Sequence, residues 1–300
     1  MIDIRYHIAT LVAVFLALAV GILIGSTFID SDMLVDQQKK MISQLESQFT
    51  ELRQRESELT SENRFTNQVA QYYEQYSQTV SIPVIKNRLA GNSVAIIVTG
   101  GQEMPKGFVN SLSLAGANVT STTVFLSAMT LDDENLSVKV CDFYGADKGT
   151  PPDELRKMIA LNVSTIISKG EDAEAREFLQ KNNLVTFSGA FTSDIKTVVL
   201  IGGSEDVNMY FPTSVDAWLV RGLQTNSKTV VGCETSRVKY SYMPQYQQFD
   251  ISTIDDIDIT PGQVALIRSL EGEIGDYGVK KTAKKFMPSL PAEFLQGVAK

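Results

Sequence analysis

An uncharged apolar run near the start of the chain limits its architecture more than any other feature. Residues 8–29 read IATLVAVFLALAVGILIGSTFI, without a charged side chain. A helix of this length spans about 33 Å, and the hydrocarbon core of a bilayer is about 30 Å thick. The rest of the chain is more polar and much longer. The sequence therefore predicts a membrane anchor at residues 1–30 that holds a large water-soluble body at a membrane.

A cleaved signal sequence and a buried core helix both fit the apolar run less well than an anchor does. A signal sequence has an apolar core of about 7–15 residues and a small-residue cleavage site. Here the core is longer, and no Ala-x-Ala pattern follows it before Asp30. A buried helix of a soluble protein would seldom stay uncharged around its whole circumference. We therefore predict a retained, single-pass anchor in the cell membrane.

The charges on either side of the run predict its orientation. Arg5 and the amino terminus precede the run, together with the opposing Asp3, whereas Asp30, Asp32 and Asp36 follow it before the first lysine. Basic residues prefer the cytoplasmic side of a membrane. We therefore expect a cytoplasmic N-terminus and an extracytoplasmic globular domain.

Small residues recur at every fourth position along one face of the anchor. Ala9, Ala13, Ala17, Gly21 and Gly25 form this stripe. Such a face lets two helix backbones approach closely, although alanine and glycine are common in membrane helices and can align by chance. We interpret the stripe as a contact with a second copy or with a partner helix.

The next segment, residues 31–82, carries the pattern of a coiled coil and contains no glycine or proline. Ser31 or Asp32 can cap its first turn. Apolar residues that alternate between a and d positions predict a parallel homodimeric stalk. They are Val35, Ile42 and Phe49 at a, and Leu45, Leu52 and Leu59 at d. Glu56 and Asn63 at later a positions weaken the seam, and a lone solvated helix is the alternative.

A second apolar face follows near the end of the stalk. It comprises Val69, Tyr72, Tyr73, Tyr76 and Val80, which have helical spacing. We expect this face to dock onto the globular domain.

Strand patterns alternate with helix patterns across residues 92–287. Strands are predicted at 93–99, 119–126, 165–168, 184–188, 197–201 and 229–233, and helices after Pro105 and at 152–162, 171–182, 213–224 and 261–273. The polar segment 127–150 is interpreted as an insertion or connection. The alternation predicts an α/β domain with a mostly parallel, Rossmann-like sheet and helices on both faces. Residues 288–300 remain as a C-terminal tail.

Two glycine pairs mark the place where such a fold could bind a ligand. Gly100-Gly101 and Gly202-Gly203 each follow a predicted strand, so both should lie at the carboxyl edge of the sheet. Neither pair belongs to a GxGxxG fingerprint or a phosphate loop, so turn formation is the simpler interpretation. We expect this edge to form a shallow pocket without a catalytic base.

Motifs of common enzyme classes are missing from the sequence. His7, at the start of the anchor, is the only histidine, so the body cannot contain a histidine-based triad. Ser188 and Ser204 do not match a GxSxG elbow. We predict that the protein is not an enzyme and has no catalytic residues.

Clusters of charge give further expectations. The acidic run Asp255, Asp256 and Asp258 could bind a cation, but three acids in a surface loop usually form a solvated turn. The net charge of −8 argues against nucleic-acid binding. A basic cluster near the C-terminus could contact anionic polymer or lipid, with a solvated tail as the simpler interpretation. Its members are Lys280, Lys281, Lys284 and Lys285.

Cys141 and Cys233 are the only cysteines in the chain. An extracytoplasmic location would permit a disulfide between them, and the alternative is two unrelated small apolar residues. Copper prefers sulfur ligands, but the chain has no CxxC motif and no cluster of methionine or histidine. The residues by themselves therefore predict neither a metal site nor a cofactor.

Both ends of the chain resemble one protein family. The segments MIDIRYHIATLVAVFLALAVGILIGS and STIDDIDITPGQVALIRSLEGEIGDYGV are similar to those of the MctB-type copper transport protein family. The resemblance covers nearly the whole chain, and the C-terminal segment is its more specific part. It implies a bacterial envelope protein associated with copper transport or homeostasis. Copper and an outer-membrane location enter only through this resemblance.

Two functions remain open at this point. The resemblance implies a copper-homeostasis protein, and its family includes members described as channel-like. The alternative is a non-enzymatic dimeric scaffold or sensor that holds its body near an envelope or cell-division partner. One apolar helix cannot enclose a pore by itself. The channel description therefore does not follow from the residues.

Overall fold

A computed structural model describes residues 4–27 and 32–289. The chain divides into two compact units, one ending at Gln71 and the other beginning at Tyr72. The predicted caps of the stalk, Ser31 and the Asp32 side chain, lie outside the described residues.

Two helices account for the first unit and the entry to the second. Helix α1 spans Ile4–Thr27, and α2 spans Asp32–Ile85. Among the described residues, one stretch, Ile4–Ser26, is long and apolar enough to cross a membrane by length and composition. Helix α2 includes Pro83 and ends at Ile85, beyond the stalk that the sequence predicts at residues 31–82.

The second unit alternates helices and strands, as predicted for an α/β protein. Its helices are α3 (Phe108–Leu114), α4 (Glu134–Tyr144), α5 (Pro152–Lys169), α6 (Ala173–Lys181), α7 (Ala217–Thr225), α8 (Met243–Tyr246) and α9 (Thr260–Leu270). Its strands are β1 (Ser93–Val98), β2 (Asn118–Phe125), β3 (Val185–Gly189), β4 (Thr197–Ile201), β5 (Thr229–Cys233), β6 (Ser252–Ile254) and β7 (Asp276–Tyr277). A π-helical turn at Pro212–Asp216 leads into α7.

The seven strands form one sheet in the order β3-β2-β1-β4-β5-β6-β7. All neighbours pair in parallel except β2 and β3, which are antiparallel. One hydrophobic core covers the face beneath α4 to α8, and a second covers the face beneath α3 and α9. Buried strands such as β4 are apolar at nearly every position because both of their faces are covered.

The last turns of α2 complete the second core. Val84 and Ile85 are buried there together with Leu89 from the following turn. The aromatic face predicted to dock onto the body is exposed instead, since Tyr73 and Tyr76 are 71% and 67% exposed. That prediction was wrong because the helix turns its opposite side towards the body.

Three other sequence predictions for the body need correction. The predicted strand at 165–168 is the end of α5, since an apolar run of this length suits a buried helix equally well. The predicted connection at 127–150 contains α4, with Asp133 as its N-cap. The sequence also missed β6 and β7, which have only three and two residues.

Candidate functional site at the carboxyl edge of the sheet

Strands β1 and β4 lie side by side, and the chain leaves them in opposite directions across the sheet. A crevice at such a switch point is where open α/β sheets commonly bind ligands. The two glycine pairs meet there, as predicted. A Cβ atom on Gly100 would lie 2.0 Å from the carbonyl oxygen of Gly203, and both residues have positive φ. Glycine is therefore required where these two turns touch.

Two tyrosines fill this crevice. A Cβ atom on Gly202 would lie 2.1 Å from the Tyr246 hydroxyl oxygen. The Tyr242 hydroxyl donates to the Met209 carbonyl at 2.6 Å and accepts from the Phe211 amide at 2.9 Å. Both rings are fully buried. At the switch point the protein therefore has packed side chains in place of the predicted shallow pocket.

Asp216 forms the polar centre of this packed region. Its Oδ2 atom accepts hydrogen bonds from the Thr99 hydroxyl at 2.9 Å and from the Tyr246 hydroxyl at 2.5 Å. Its Oδ1 atom has no hydrogen-bond partner among the described residues. Burial raises the pKa of Asp216 to about 7, although the two hydrogen bonds oppose that shift. Sequence reasoning missed Asp216, because the pattern around it is that of an ordinary helix.

A second buried carboxylate, Glu234, directly follows β5. It accepts hydrogen bonds from the Ser241 hydroxyl at 2.6 Å and the Tyr242 amide at 2.8 Å. The Lys280 ammonium lies 2.7 Å from its Oε1 atom. Lys280 therefore forms an internal ion pair with Glu234. The prediction that Lys280 belongs to a solvated tail was wrong.

The acidic run after β6 is also mostly buried. Asp255 accepts backbone hydrogen bonds from Val279 and Lys280, and Asp256 is fully buried with no partner for either oxygen among the described residues. Burial and the charges of Asp255 and Asp258 raise the pKa of Asp256 to about 7. Only Asp258 is partly exposed. The prediction of a solvated turn was therefore wrong, because a distant segment covers these side chains.

The two carboxyl groups with the strongly raised pKa do not converge on one space. Asp216 contacts Tyr246, which belongs to the first core. Asp256 lies against Gly262 of α9, on the side of the second core. Among residues 4–27 and 32–289, no three His, Cys, Asp or Glu side chains are placed to hold a metal ion. This edge offers neither a paired acid and base nor a carboxylate metal site.

The two cysteines lie on opposite sides of the sheet. Cys141 is buried in the first core and Cys233 in the second, and both are free thiols. Of the two alternatives that the sequence left open, the structure shows unpaired apolar residues. Burial, together with Asp256 and Glu234, raises the pKa of Cys233 well above its usual value. Two thiols separated by a sheet cannot bind one copper ion together.

The residues predicted to form a dimer contact are all exposed in the single chain. In α1 they are Ala13, Ala17, Gly21 and Gly25, and in α2 they are Ile42, Leu45, Phe49, Leu52 and Leu59. In a single chain these apolar side chains contact solvent, and a second helix could cover them.

Comparison with known proteins places nearly the whole chain in one family. The family model described as copper transport outer membrane protein, MctB, matches residues 1–288. No curated protein matches the chain. Since the match extends over nearly its whole length, the chain belongs to the MctB family.

Proposed function

We propose that this protein serves copper transport or copper homeostasis from the cell membrane, as a single-pass protein with its body outside the cytoplasm. The family description supports the link to copper and to the cell envelope. The apolar helix Ile4–Ser26 supports the membrane anchor. Arg5 in the first turn of this helix and Asp36 after it support the orientation.

Pairing of two chains through the stalk is the second part of the proposal. Leu45, Leu52 and Leu59 recur every seven residues on one helix that is unbroken from Asp32 to Ile85. The three leucines are between 51% and 65% exposed in the single chain. Burying such a row against a second copy stabilises a coiled coil. The small-residue face of the anchor can continue the same contact.

The body acts through its surface and not through a reaction. The observation that carries this part is the closed switch point, where Tyr242 and Tyr246 occupy the usual ligand crevice. The separation of the Cys141 and Cys233 thiols also argues against direct binding of copper by this body. Copper is then a cargo or signal of the system, and this body holds or positions another component that handles the ion.

Copper tolerance of a bacterial host lacking its own copy tests the proposal. The deletion strain receives the wild-type chain, Leu52→Asp, the matched control Ser47→Asp, or the double variant Cys141→Ala, Cys233→Ala. We expect wild type, the control and the cysteine variant to restore tolerance equally. Leu52→Asp should fail, because a charge at the seam opposes pairing.

Each result of this experiment has a definite consequence. Unchanged copper tolerance after deletion would refute the copper role. Full restoration by Leu52→Asp would refute the paired stalk. Loss of tolerance in the cysteine variant at normal protein level would instead assign the ion to a thiol of this chain.

A further inference from the structure

A groove of about 420 Å³ lies between the end of α2, helix α3 and the start of α9. Its volume falls within the range of small-molecule sites, about 300–1,000 Å³. Ile82, Ile85 and Leu114 give it an apolar side. Ile82 and Leu114 remain 43% and 37% exposed, so the groove has apolar surface that the protein does not fill.

The acidic side chains at the rim are held in place by hydrogen bonds. Glu74 Oε1 accepts from the Thr260 amide at 3.1 Å, from the Thr260 hydroxyl at 2.5 Å and from the Gln78 amide at 3.2 Å. Among the described residues its Oε2 atom has one long contact, 3.4 Å from the Thr260 amide. One oxygen of this half-buried carboxylate therefore remains available to a donor from outside.

Asp258 and Gln263 are held equally firmly. Ser236 donates to Asp258 through its amide at 2.6 Å and its hydroxyl at 2.7 Å. Gln263 accepts from the Ser111 hydroxyl and donates to the Ile257 carbonyl at 3.3 Å. Groups fixed in advance lose little entropy when a ligand binds.

One cation faces the groove together with these acids. Lys106 is exposed and, within the described part of the chain, makes no hydrogen bond or ion pair. Glu74 and Asp258 attract a positive group, and Lys106 attracts a negative one. The charges therefore suit a ligand that carries both signs, and the apolar side of the groove suits a ligand that also has an apolar portion.

We propose that this groove binds a short zwitterionic peptide. The peptide ammonium donates to Glu74 Oε2 and lies near Asp258, and its carboxylate pairs with Lys106. Small aliphatic side chains cover Ile82 and Leu114. This site lies apart from the closed switch point, and its occupation does not depend on the proposed role in copper homeostasis.

Isothermal titration of the full chain in detergent micelles with dialanine and trialanine tests the site. We expect saturable binding of one peptide per chain. Acetylation of the peptide amine should weaken binding by about tenfold, since it removes a charge from a partly buried pair. Amidation of the carboxylate should weaken binding by about threefold, because Lys106 is exposed and screened.

Matched variants separate binding from folding. Glu74→Gln keeps an oxygen acceptor for the start of α9 but removes the charge, so it should weaken binding by about tenfold while the chain stays folded, with only a small fall in melting temperature. Lys106→Ala should weaken it by about threefold. The exposed controls Glu171→Gln and Lys148→Ala should change nothing. Absence of saturable binding to wild type, or equal binding of free and acetylated peptides, would overturn the proposal.

Discussion

The Tyr246 hydroxyl donates a hydrogen bond to Asp216 beneath Gly202, at the point where the sheet would otherwise open to a ligand. A buried carboxylate needs such partners, because its charged form is poorly solvated away from water. The same contact fills the crevice and fixes α8 over the strand ends. The closed switch point and the buried acid are therefore one structural feature.

The buried Asp216 carboxyl should make stability depend on pH. Its pKa rises from 3.8 to about 7 on folding, so the folded state binds the proton more tightly than the unfolded state. This contribution is complete below about pH 4 and is lost as the pH rises towards 7. Asp216→Asn removes it, so the stability deficit of the variant should shrink between about pH 4 and about pH 7.

Thermal melting of the full chain followed by circular dichroism measures this change, with the exposed Asp142→Asn as control. A deficit that stays constant over this pH range would show that Asp216 does not titrate there.

The glycine at position 202 should tolerate no side chain. A Cβ atom there would meet the Tyr246 hydroxyl at 2.1 Å and the Tyr242 ring at 2.6 Å. Gly202→Ala should destabilise the protein by about 1–3 kcal/mol through overpacking. Gly149→Ala is the matched control, because no atom lies within 4 Å of its added Cβ. Urea unfolding compares the two, and equal stabilities would contradict the close packing of the switch point.

Replacing only one partner of the Lys280–Glu234 ion pair should lower the stability of the folded protein. Lys280→Met leaves the fully buried Glu234 carboxylate without its cation, which should cost about 3–5 kcal/mol. Adding Glu234→Gln should restore part of that loss, since the buried charge is then removed. Lys281→Met, an exposed neighbour, should leave urea unfolding unchanged. A double variant no more stable than Lys280→Met alone would argue against a direct pair.

Sequence patterns predicted the central part of the body well and its edge poorly. Strands β4 and β5 match their predicted bounds, because continuous apolar runs such as TVVLI have few other uses in an α/β protein. Strand β7 has two residues and exists only because β6 lies beside it. Such short pairings leave no periodic signal in the sequence.

The burial of these polar groups could not be predicted from the sequence, because their partners are distant along the chain. Glu234 and Lys280 are 46 residues apart, and Asp216 and Tyr246 are 30 apart. A charged residue looks solvated until its distant partner is known. The glycine pairs, in contrast, could be placed at one edge, because parallel strands bring their carboxyl ends together.

The paired stalk is the feature on which the proposed function depends most directly. Disulfide crosslinking of Leu52→Cys in native membranes, with Ser47→Cys as the control on the outer face of the helix, measures it. We expect rapid crosslinking of Leu52→Cys to a species of twice the chain mass, and little from Ser47→Cys, because d positions meet in a parallel dimer. Equal crosslinking at both positions, or none at Leu52→Cys, would contradict the paired stalk.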